Sequence, residues 1–375
     1  MDRDRKERLK RYGFDLDAQR KAESYEKEGF RLRIFSSLFF GLVLGLFARF
    51  GSESLVGWLA SFSEGYLLNC IYVSIVVLGL SLLNFPFSWL SYRRELRFDL
   101  SNQAPSAWLV DQIKGVATSF VIALILLPLF LLLLSHLSWW WLIAWAGFSL
   151  FSLLLSYIGP VLLMPIFYDF QPLEDDELES DLEELAERAE VDVVGAFEMG
   201  AGEKTKKAVG GLTGIGSTRR IILSDTLLEN YSRDEIEGVI AHELGHHVRG
   251  DLWKNVIESS LVSLVLLYLL KVLLPLVTPL FALEAGTAAL PVIFLLGGAF
   301  SALTEPLENF LSRLREIAAD SFAVKLTDKP RPFADALIKL NRQNLGNAAP
   351  SPLVEFLFYD HPSGLKRVEQ VLEEG

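Results

Sequence analysis

Long apolar stretches, separated by charged segments, dominate the hydrophobic pattern of the chain. Six of them have the length needed to span a membrane: 34–50, 66–90, 116–136, 139–163, 255–274 and 287–303. A hydrocarbon core of ~30 Å requires ~20 helical residues, with ~17–25 tolerated. Stretches such as "FVIALILLPLFLLLL" are too long and too apolar for the buried helices of a soluble protein. We therefore predict six membrane-spanning helices, of which the first and the last are the shortest.

The distribution of Lys and Arg predicts how these helices are oriented. Eleven basic residues lie within 1–33 and four within 91–115, whereas none lies in the segments 51–65, 135–138 and 275–286. Cytoplasmic loops are enriched in Lys and Arg, so the basic side is predicted to be cytoplasmic. With six spans, both termini, the long segment 164–254 and the tail 304–375 lie on this side. The expected location is the cell inner membrane, crossed several times.

The same pattern divides the chain into five segments. They are a basic cytoplasmic segment (1–33), membrane helices 1–4 (34–163), a cytoplasmic insert (164–254), membrane helices 5–6 (255–303) and a cytoplasmic C-terminal part (304–375). The fold class expected is mainly α, a polytopic membrane protein with a small α+β cap. A 51% apolar composition over 375 residues supports this expectation.

The net charge and the cysteine content limit which partners and which metal sites are expected. The net charge of −12 argues against nucleic acid as a partner. Cys70 is the single cysteine, so an intramolecular disulfide framework and a cysteine-rich metal site are excluded. Any metal site must therefore be built from His and carboxylate side chains.

Short β-type segments interrupt the insert. It opens with "EDDELESDLEELAERAE", whose Leu spacing predicts an amphipathic helix with a solvated acidic face, an acidic docking site being the alternative. "VVGAFEM" and "RRIILS" follow, with the Gly-rich "AVGGLTGIGST" between them. A phosphate-binding loop is not supported, because no Gly-Lys-Ser/Thr follows the glycines. A β-hairpin with an exposed edge is predicted instead.

Three of the five histidines lie within the stretch "VIAHELGHHVRGD". His242, Glu243 and His246 form an H-E-x-x-H pattern, and Ser232 with Glu235 forms a capping box that predicts the start of its helix. Residues four apart share a helix face, so both imidazoles can bind one ion, whereas Glu243 can act as a general base. The helix is expected to run straight into a membrane span. The alternative is a set of polar residues on a solvated helix face.

A third protein ligand must come from elsewhere in the chain, because catalytic zinc sites use three. In "NFLSRLREIAADSFAVKL", Glu316 and Asp320 are four apart on one helical face. Glu316 is a candidate ligand, and Asp320 can accept the second N–H of a zinc-bound histidine. The alternative for Glu316 is an exposed helical residue paired with Arg313 or Arg315.

The remaining histidines have less specific surroundings. His247 points away from the predicted metal face and is interpreted as a packing or interface residue. His136 closes a membrane span and is expected to be structural. His361 lies between Asp and Pro in "FYDHPSGLKR", and from this setting alone a role in a turn or helix cap is favoured over a catalytic one.

Taken together, these motifs resemble those of the integral-membrane zinc CaaX prenyl endopeptidases of type I. The similarity runs from about residue 25 to 372 and includes "GPVLLMPIFYDFQPLEDDEL", "TGIGSTRRIILSDTLLE", "VIAHELGHHVRGD", "SRLREIAADSFA", "ALIKLNRQNLG" and "YDHPSGLKRVEQV". The resemblance implies helices around an intramembrane chamber, with the site beneath a cytoplasmic cap. It implies one zinc ion per chain, bound by His242, His246 and Glu316. It also implies that Glu243 is the general base, that Asp320 accepts a hydrogen bond from a zinc-bound histidine, and that His361 stabilises the oxyanion.

The resemblance also implies a substrate-binding edge strand within 208–216, containing Ala208, Val209, Gly210 and Gly211. The substrate backbone would lie along it by β-augmentation. The family has a Ser-Asn-Ala-type stretch on this strand, whereas this chain has Ala208, Val209 and Gly210. Val209 therefore cannot supply the hydrogen bonds of an Asn side chain. An additional N-terminal span of the eukaryotic members is also missing. The missing span, the compact loops and the absence of eukaryotic insertions suggest a bacterial or archaeal homologue.

The expected function is a membrane-embedded zinc endopeptidase that cleaves lipidated or hydrophobic C-terminal peptides. Its expected partners are a peptide or protein substrate, prenylated in the family, and membrane lipid. One alternative is a quality-control protease, which would make many cuts in unmodified unfolded segments. An alternative of another class is a non-catalytic membrane scaffold with a vestigial metal site. Metal analysis and a peptide-cleavage assay distinguish the enzyme from the scaffold.

Overall fold

A computed structural model describes residues 3–214 and 216–375. The helices are, in chain order, α1 (Arg3–Arg11), α2 (Leu16–Phe50), α3 (Ser52–Leu59), α4 (Gly65–Arg97), α5 (Pro105–His136), α6 (Trp140–Ile158), α7 (Met164–Phe167), α8 (Asp176–Arg188), α9 (Asp225–Asn230), α10 (Arg233–Val248), α11 (Asp251–Val277), α12 (Leu290–Thr327), α13 (Pro330–Gln343), α14 (Pro352–Phe358) and α15 (Gly364–Glu374). Four short strands form one sheet: β1 (Phe170–Pro172), β2 (Ala196–Met199), β3 (Gly210–Thr213) and β4 (Arg220–Ser224). The predicted fold class is confirmed.

Within residues 3–214 and 216–375, six helices are long and apolar enough to cross a membrane: α2, α4, α5, α6, α11 and α12. They coincide with the six predicted spans. The bounds differ most for the two shortest predictions, because α2 already begins at Leu16 and α12 continues to Thr327. The last span and the segment that carries Glu316 are therefore one continuous helix.

The spanning helices pack tightly at one end and separate at the other. Tyr72, Leu131 and Leu290 are fully buried in the cluster that closes the first end. At the opposite end α2, α4 and α5 line a cavity of about 1050 Å³, and the segment 204–209 contributes to its wall. This end therefore adjoins the α+β part of the chain.

The sheet has the strand order β1-β2-β4-β3. The Gly-rich segment itself supplies β3, which pairs antiparallel with β4, so β3 is an edge strand as predicted. The strands in "VVGAFEM" and "RRIILS" are not partners in a hairpin, because β2 and β4 pair in parallel. The reason is that the chain reverses direction in β3 between them.

The α+β part has a hydrophobic core of its own. Leu178, Leu182 and Leu185 of α8 are buried in it, while Glu183 and Glu187 on the same helix are exposed. The predicted amphipathic helix is therefore present. The core also takes in side chains from α10, α13 and α15: Ile240, Leu244, Phe333, Leu337, Leu365 and Val368. Burial from several sides holds α10 in a single position.

Candidate active site

The helix that carries H-E-x-x-H begins where the sequence predicts. The hydroxyl oxygen of Ser232 accepts a hydrogen bond from the Glu235 backbone N–H at 3.4 Å. The Glu235 carboxylate accepts one from the Ser232 N–H at 2.7 Å, which completes the capping box. Lys339 also contacts Glu235, at 2.7 Å. These contacts determine where α10 starts, and His242 therefore lies in its third turn.

The end of α10 differs from the prediction. The helix stops at Val248 and does not run straight into the next span, because Gly250 adopts a left-handed conformation with φ of 67°. A positive φ of this kind is accessible to glycine without the steric cost of a Cβ. A new helix, α11, starts at Asp251, and the bend brings this carboxylate back to His246.

A glycine inside the motif lets α10 approach α12. A Cβ at Gly245 would lie 3.3 Å from Ala319 Cα and 3.1 Å from Phe322 Cδ1, both on α12. Ordinary carbon contacts are ~3.5–4.0 Å, so a larger residue would force the two helices apart. The short separation brings Glu316, one turn before Ala319 and Asp320 on α12, against the imidazoles of α10.

His242, His246 and Glu316 converge on one point. The Nε2 atoms of the two histidines are 3.2 Å apart. Glu316 Oε2 lies 3.4 Å from His242 Nε2, and Glu316 Oε1 lies 3.1 Å from His246 Nε2. One ligand atom from each residue falls within 4.8 Å of the others, the spacing expected around one metal ion. Glu316 is 5% exposed, so the alternative of an exposed helical residue is wrong.

The two arginines named in that alternative have other partners. Arg313 donates to the backbone oxygens of Glu355 and Tyr359. Arg315 forms an ion pair with Glu258 at 2.8 Å. Glu316 Oε2 is itself a buried oxygen that no donor in the described part of the chain satisfies. An unsatisfied buried carboxylate oxygen is costly, and a metal ion would remove that cost.

Each imidazole is oriented by a carboxylate on its other nitrogen. Asp320 Oδ1 lies 2.8 Å from His242 Nδ1, as predicted from the spacing of Glu316 and Asp320. Asp251 Oδ2 lies 2.9 Å from His246 Nδ1. A proton on each Nδ1 leaves the Nε2 lone pairs free, and both of these face Glu316. Carboxylates in this position fix the tautomer of metal-binding histidines.

Arg367 of α15 supports the same group of side chains. Its Nε and Nη2 donate to the two oxygens of Asp320 at 2.8 and 2.6 Å, a bidentate pair. Its Nη1 lies 3.7 Å from Glu316 Oε2. Burial alone would lower the pKa of Arg367, but the charge and hydrogen bonds of Asp320 raise it, so the guanidinium stays charged. The buried Asp320 is thereby neutralised.

The pKa values around the motif agree with a site that binds a cation. Burial acts to lower the pKa of His242, but the carboxylates of Asp320 and Glu316 favour the protonated imidazole and raise it to about 9. Burial acts to lower the pKa of His246 as well, but the carboxylates of Glu316 and Asp251 together outweigh it and raise this pKa. A divalent cation competes with the proton for the same lone pairs. Burial raises the pKa of Glu243, which makes it a better proton acceptor for general-base chemistry.

His361 lies in the turn between α14 and α15, yet it also reaches the three-residue cluster. Its Nε2 is 3.4 Å from Glu316 Oε1, and its Nδ1 is 2.8 Å from Asp360 Oδ1. The side chain is 51% exposed, unlike the buried ligands. The residue is therefore in a turn, as its local sequence favours, and next to the cluster, as the family resemblance implies.

The predicted substrate strand lies at the edge of the sheet. Gly210 and Gly211 pair with Leu223 and Ile222 of β4. The Val209 backbone oxygen accepts from the N–H of Ser224 at 2.9 Å, whereas its side chain is 45% exposed. Ala208 is buried, at 4% exposed. The strand lies against α10, because a Cβ at Gly210 would be 2.9 Å from Val239, three residues before His242.

Two family descriptions match the sequence and together cover nearly all of it. Residues 5–169 match the CAAX prenyl protease N-terminal family, described by five membrane helices. Residues 172–374, which contain the whole cluster, match peptidase family M48. The chain belongs to peptidase family M48. The resemblance found in the sequence motifs is therefore confirmed.

Individual M48 relatives agree with this assignment. The Bacillus subtilis metalloprotease YhfN is 32% identical over 310 residues, which cover 81% of this chain and 73% of that protein. CAAX prenyl protease 1 of Saccharomyces cerevisiae is 30% identical over 334 residues, with the same coverage of 81% and 73%. The crystal structure of S. mikatae Ste24p has the same fold, with a TM-score of 0.86, 22% identity and coverage of 97% and 90%.

Membership of the M48 family establishes the coarse function. The protein is a multi-pass integral membrane metalloprotease, and it acts on peptide or protein substrates. The family is metal-dependent, and the His-His-Glu cluster is the group of side chains with suitable spacing in the described residues. The enzyme interpretation of the sequence is therefore correct, and the scaffold alternative is not supported.

Sequence reasoning missed two residues of this M48 site, Asp251 and Arg367. Asp251 directly follows Gly250 and resembles an ordinary first residue of a helix. Arg367 lies on an amphipathic helix 47 positions from its partner Asp320, so the sequence carries no local signal of that pair. His247 lies outside the cluster, where burial and nearby Arg219 lower its pKa.

Proposed function

We propose that this M48 protease is a zinc endopeptidase that hydrolyses lipidated or strongly hydrophobic C-terminal peptides at the cytoplasmic side of a cell membrane. The observation that carries the proposal is the convergence of two imidazoles and one buried carboxylate, with Glu316 Oε2 lacking a donor among residues 3–214 and 216–375. The charge distribution supports the cytoplasmic orientation, since the Lys and Arg residues of 1–33 and 91–115 share one side.

The donor set suits one zinc ion per chain. Two neutral imidazoles and one carboxylate are a common protein ligand set of catalytic zinc, which keeps a further position open. His242, His246 and Glu316 would hold the ion, and Asp320 and Asp251 would orient the two imidazoles. When bound, zinc supplies Lewis acidity, which lowers the pKa of water and polarises a carbonyl group.

The residues around this cluster would have different roles in peptide hydrolysis. Glu243 would take a proton from the attacking water and later deliver it to the leaving amine. His361, half exposed beside Glu316, would donate a hydrogen bond to the developing oxyanion. Asp360, 2.8 Å from His361 Nδ1, would hold the ring so that Nε2 faces the reacting carbonyl.

The substrate would be bound as an added strand. The outer edge of β3 offers the backbone N–H and C=O groups of Gly210, because those of Val209 and Gly211 face β4, and the segment from Ala208 lies along the same edge. Main-chain pairing of this kind holds an extended peptide with little regard to its sequence. Val209 in place of Asn removes side-chain hydrogen bonds, so backbone pairing would account for more of the binding.

The proposed preference for lipid rests on the setting of the site and on its relatives. One relative, from Saccharomyces cerevisiae, is named CAAX prenyl protease 1, and those from Arabidopsis thaliana and Oryza sativa are named as its homologues. In this chain a cavity of about 1050 Å³ lies beside the substrate strand, among spanning helices. Each buried CH₂ of a lipid contributes ~0.8 kcal/mol, so a prenyl chain can add considerable affinity.

Mass spectrometry of cleavage products tests the proposal. Purified full-length enzyme with zinc is given a farnesylated CaaX peptide and its unlipidated twin. We expect a single cut next to the lipid-bearing cysteine and much slower cleavage of the twin. Equal cleavage of both peptides would remove the lipid preference but not the peptidase. Many cuts in unfolded, unmodified protein would instead support a quality-control protease.

A further inference from the structure

A cavity with both polar and apolar walls opens from the substrate strand into the space between the helices. Its volume is about 1050 Å³, and its wall is formed by α2, α4, α5 and the segment 204–209. Val209 belongs both to this wall and to the chain that continues into β3. A peptide paired with β3 and extending past Val209 therefore enters this cavity.

The side chain of Arg94 is held in one position in the cavity wall by its neighbours. Its guanidinium carbon lies 4.4 Å from the centre of the Tyr25 ring, and its Nη2 donates to the Tyr25 hydroxyl at 3.2 Å. Gly29 of α2 makes room for it, because a Cβ there would be 2.5 Å from Arg94 Nη1. The Nε N–H of Arg94 is buried and has no acceptor in the described residues. A fixed guanidinium with an unused donor is suited to bind an anion.

Two cations in the wall share one carboxylate. Lys207 Nζ lies 3.2 Å from Glu95 Oε2, whereas Arg94 Nη2 is 3.8 Å from Glu95 Oε1. Glu95 also accepts a hydrogen bond from the Tyr25 hydroxyl. Around Glu95 there is therefore one positive charge more than there are negative charges.

The other charged groups of the wall already have partners. Lys204 pairs with Asp111 at 2.7 Å. Arg33 pairs with Glu305, which lies on α12. Glu26 accepts hydrogen bonds from the Tyr359 hydroxyl and from another side chain. The group with spare capacity for an anion is therefore Arg94 together with Lys207.

We propose that this cavity binds the C-terminal α-carboxylate of the peptide substrate through Arg94 and Lys207. The inference rests on the proposed function and adds to it the direction of the bound peptide. Its C-terminus must point toward Val209, so the substrate runs antiparallel to β3. An extended peptide advances ~3.3 Å per residue, so its end reaches the level of Lys207 within about two residues of Val209. The leaving fragment is therefore a short one.

Matched peptides that differ only at the C-terminus test this assignment. Full-length zinc-loaded enzyme is given a farnesylated CaaX peptide with a free carboxylate and the same peptide with a C-terminal carboxamide. We expect kcat/KM to be at least about tenfold higher for the free acid, mainly through KM, since a charged hydrogen bond is lost in the amide. Arg94→Gln and Lys207→Gln should each bring the acid-to-amide ratio close to one.

Arg93→Gln is the matched control, because it makes the same change in charge at the adjacent position. Arg93 lies over the Trp89 ring at 5.9 Å and lines a second groove between α2 and α4, which Arg94 also lines but Lys207 does not. This variant should keep the wild-type acid-to-amide ratio. A wild-type ratio near one, or a ratio that survives Arg94→Gln and Lys207→Gln, overturns the carboxylate site while peptide cleavage stands. Failure to cut either peptide overturns the proposed function, and this inference with it.

Discussion

The close approach of α10 and α12 at Gly245 should control metal binding. In a Gly245→Val variant the new Cβ would lie 3.1 Å from Phe322 Cδ1, 3.2 Å from Phe322 Cβ and 3.3 Å from Ala319 Cα. The two methyl groups extend a further ~1.5 Å, the length of a C–C bond. The helices must therefore separate by an amount on the order of 1 Å. Overpacking of this kind costs ~1–3 kcal/mol.

The consequence for the metal follows from ligand geometry. Metal–ligand distances tolerate only ~0.2 Å, and α12 carries Glu316 one turn before Ala319. A displaced α12 would move this carboxylate away from His242 and His246. We expect the zinc affinity of Gly245→Val to fall at least about tenfold, which corresponds to ~1.4 kcal/mol.

The assay is a competition titration of purified enzyme with a zinc chelator, combined with the Tm in detergent. Gly245→Ala is expected to be milder, because its smaller clash is offset by ~1 kcal/mol of gained helix propensity. Gly298→Val on α12 is the control, since a Cβ there meets nothing within 4 Å. Wild-type zinc affinity and Tm in Gly245→Val would refute the argument that this glycine sets the spacing of the site.

Three further substitutions separate the roles of the site residues. Glu243→Gln should reduce peptide cleavage by ~10²–10⁴-fold with zinc still bound, and cleavage at the wild-type rate in a zinc-loaded sample would show that the base is another group. Asp251→Asn should weaken zinc binding by ~10–100-fold in the same titration, because His246 loses the carboxylate that orients it; an unchanged affinity would contradict this role. His361→Asn should lower kcat by ~10²–10³-fold without loss of zinc, and a loss of zinc instead would make His361 a ligand.

Local patterns account for most of the helical architecture. Each span is visible in the sequence because a helix in lipid must be apolar over its whole length and satisfy its own backbone hydrogen bonds. The start of α10 is visible for a different reason, since Ser232 and Glu235 cap it through contacts three residues apart. The spacing of His242 and His246, and that of Glu316 and Asp320, follows from the helical repeat.

Contacts between segments that are distant in the sequence could not be predicted from local patterns. The pairing of β2 with β4 in parallel depends on the path of 20 intervening residues, which no local signal encodes. The bend at Gly250 brings Asp251 to His246, and a helix near the C-terminus brings Arg367 to Asp320. His361 illustrates the same limit, because its local sequence favours a turn and its proximity to Glu316 is visible only in three dimensions.

The sequence by itself determined the membrane helices, the cap at the start of α10 and the residue types that can hold a metal. Tertiary structure decided which carboxylate meets which imidazole, and which cations line the cavity beyond Val209. The physical reason is the range of the forces involved. Helix formation and hydrophobic periodicity depend on neighbours within one or two turns. A site made by α10, α12 and α15 depends on how their side chains pack, down to the absence of one Cβ at Gly245.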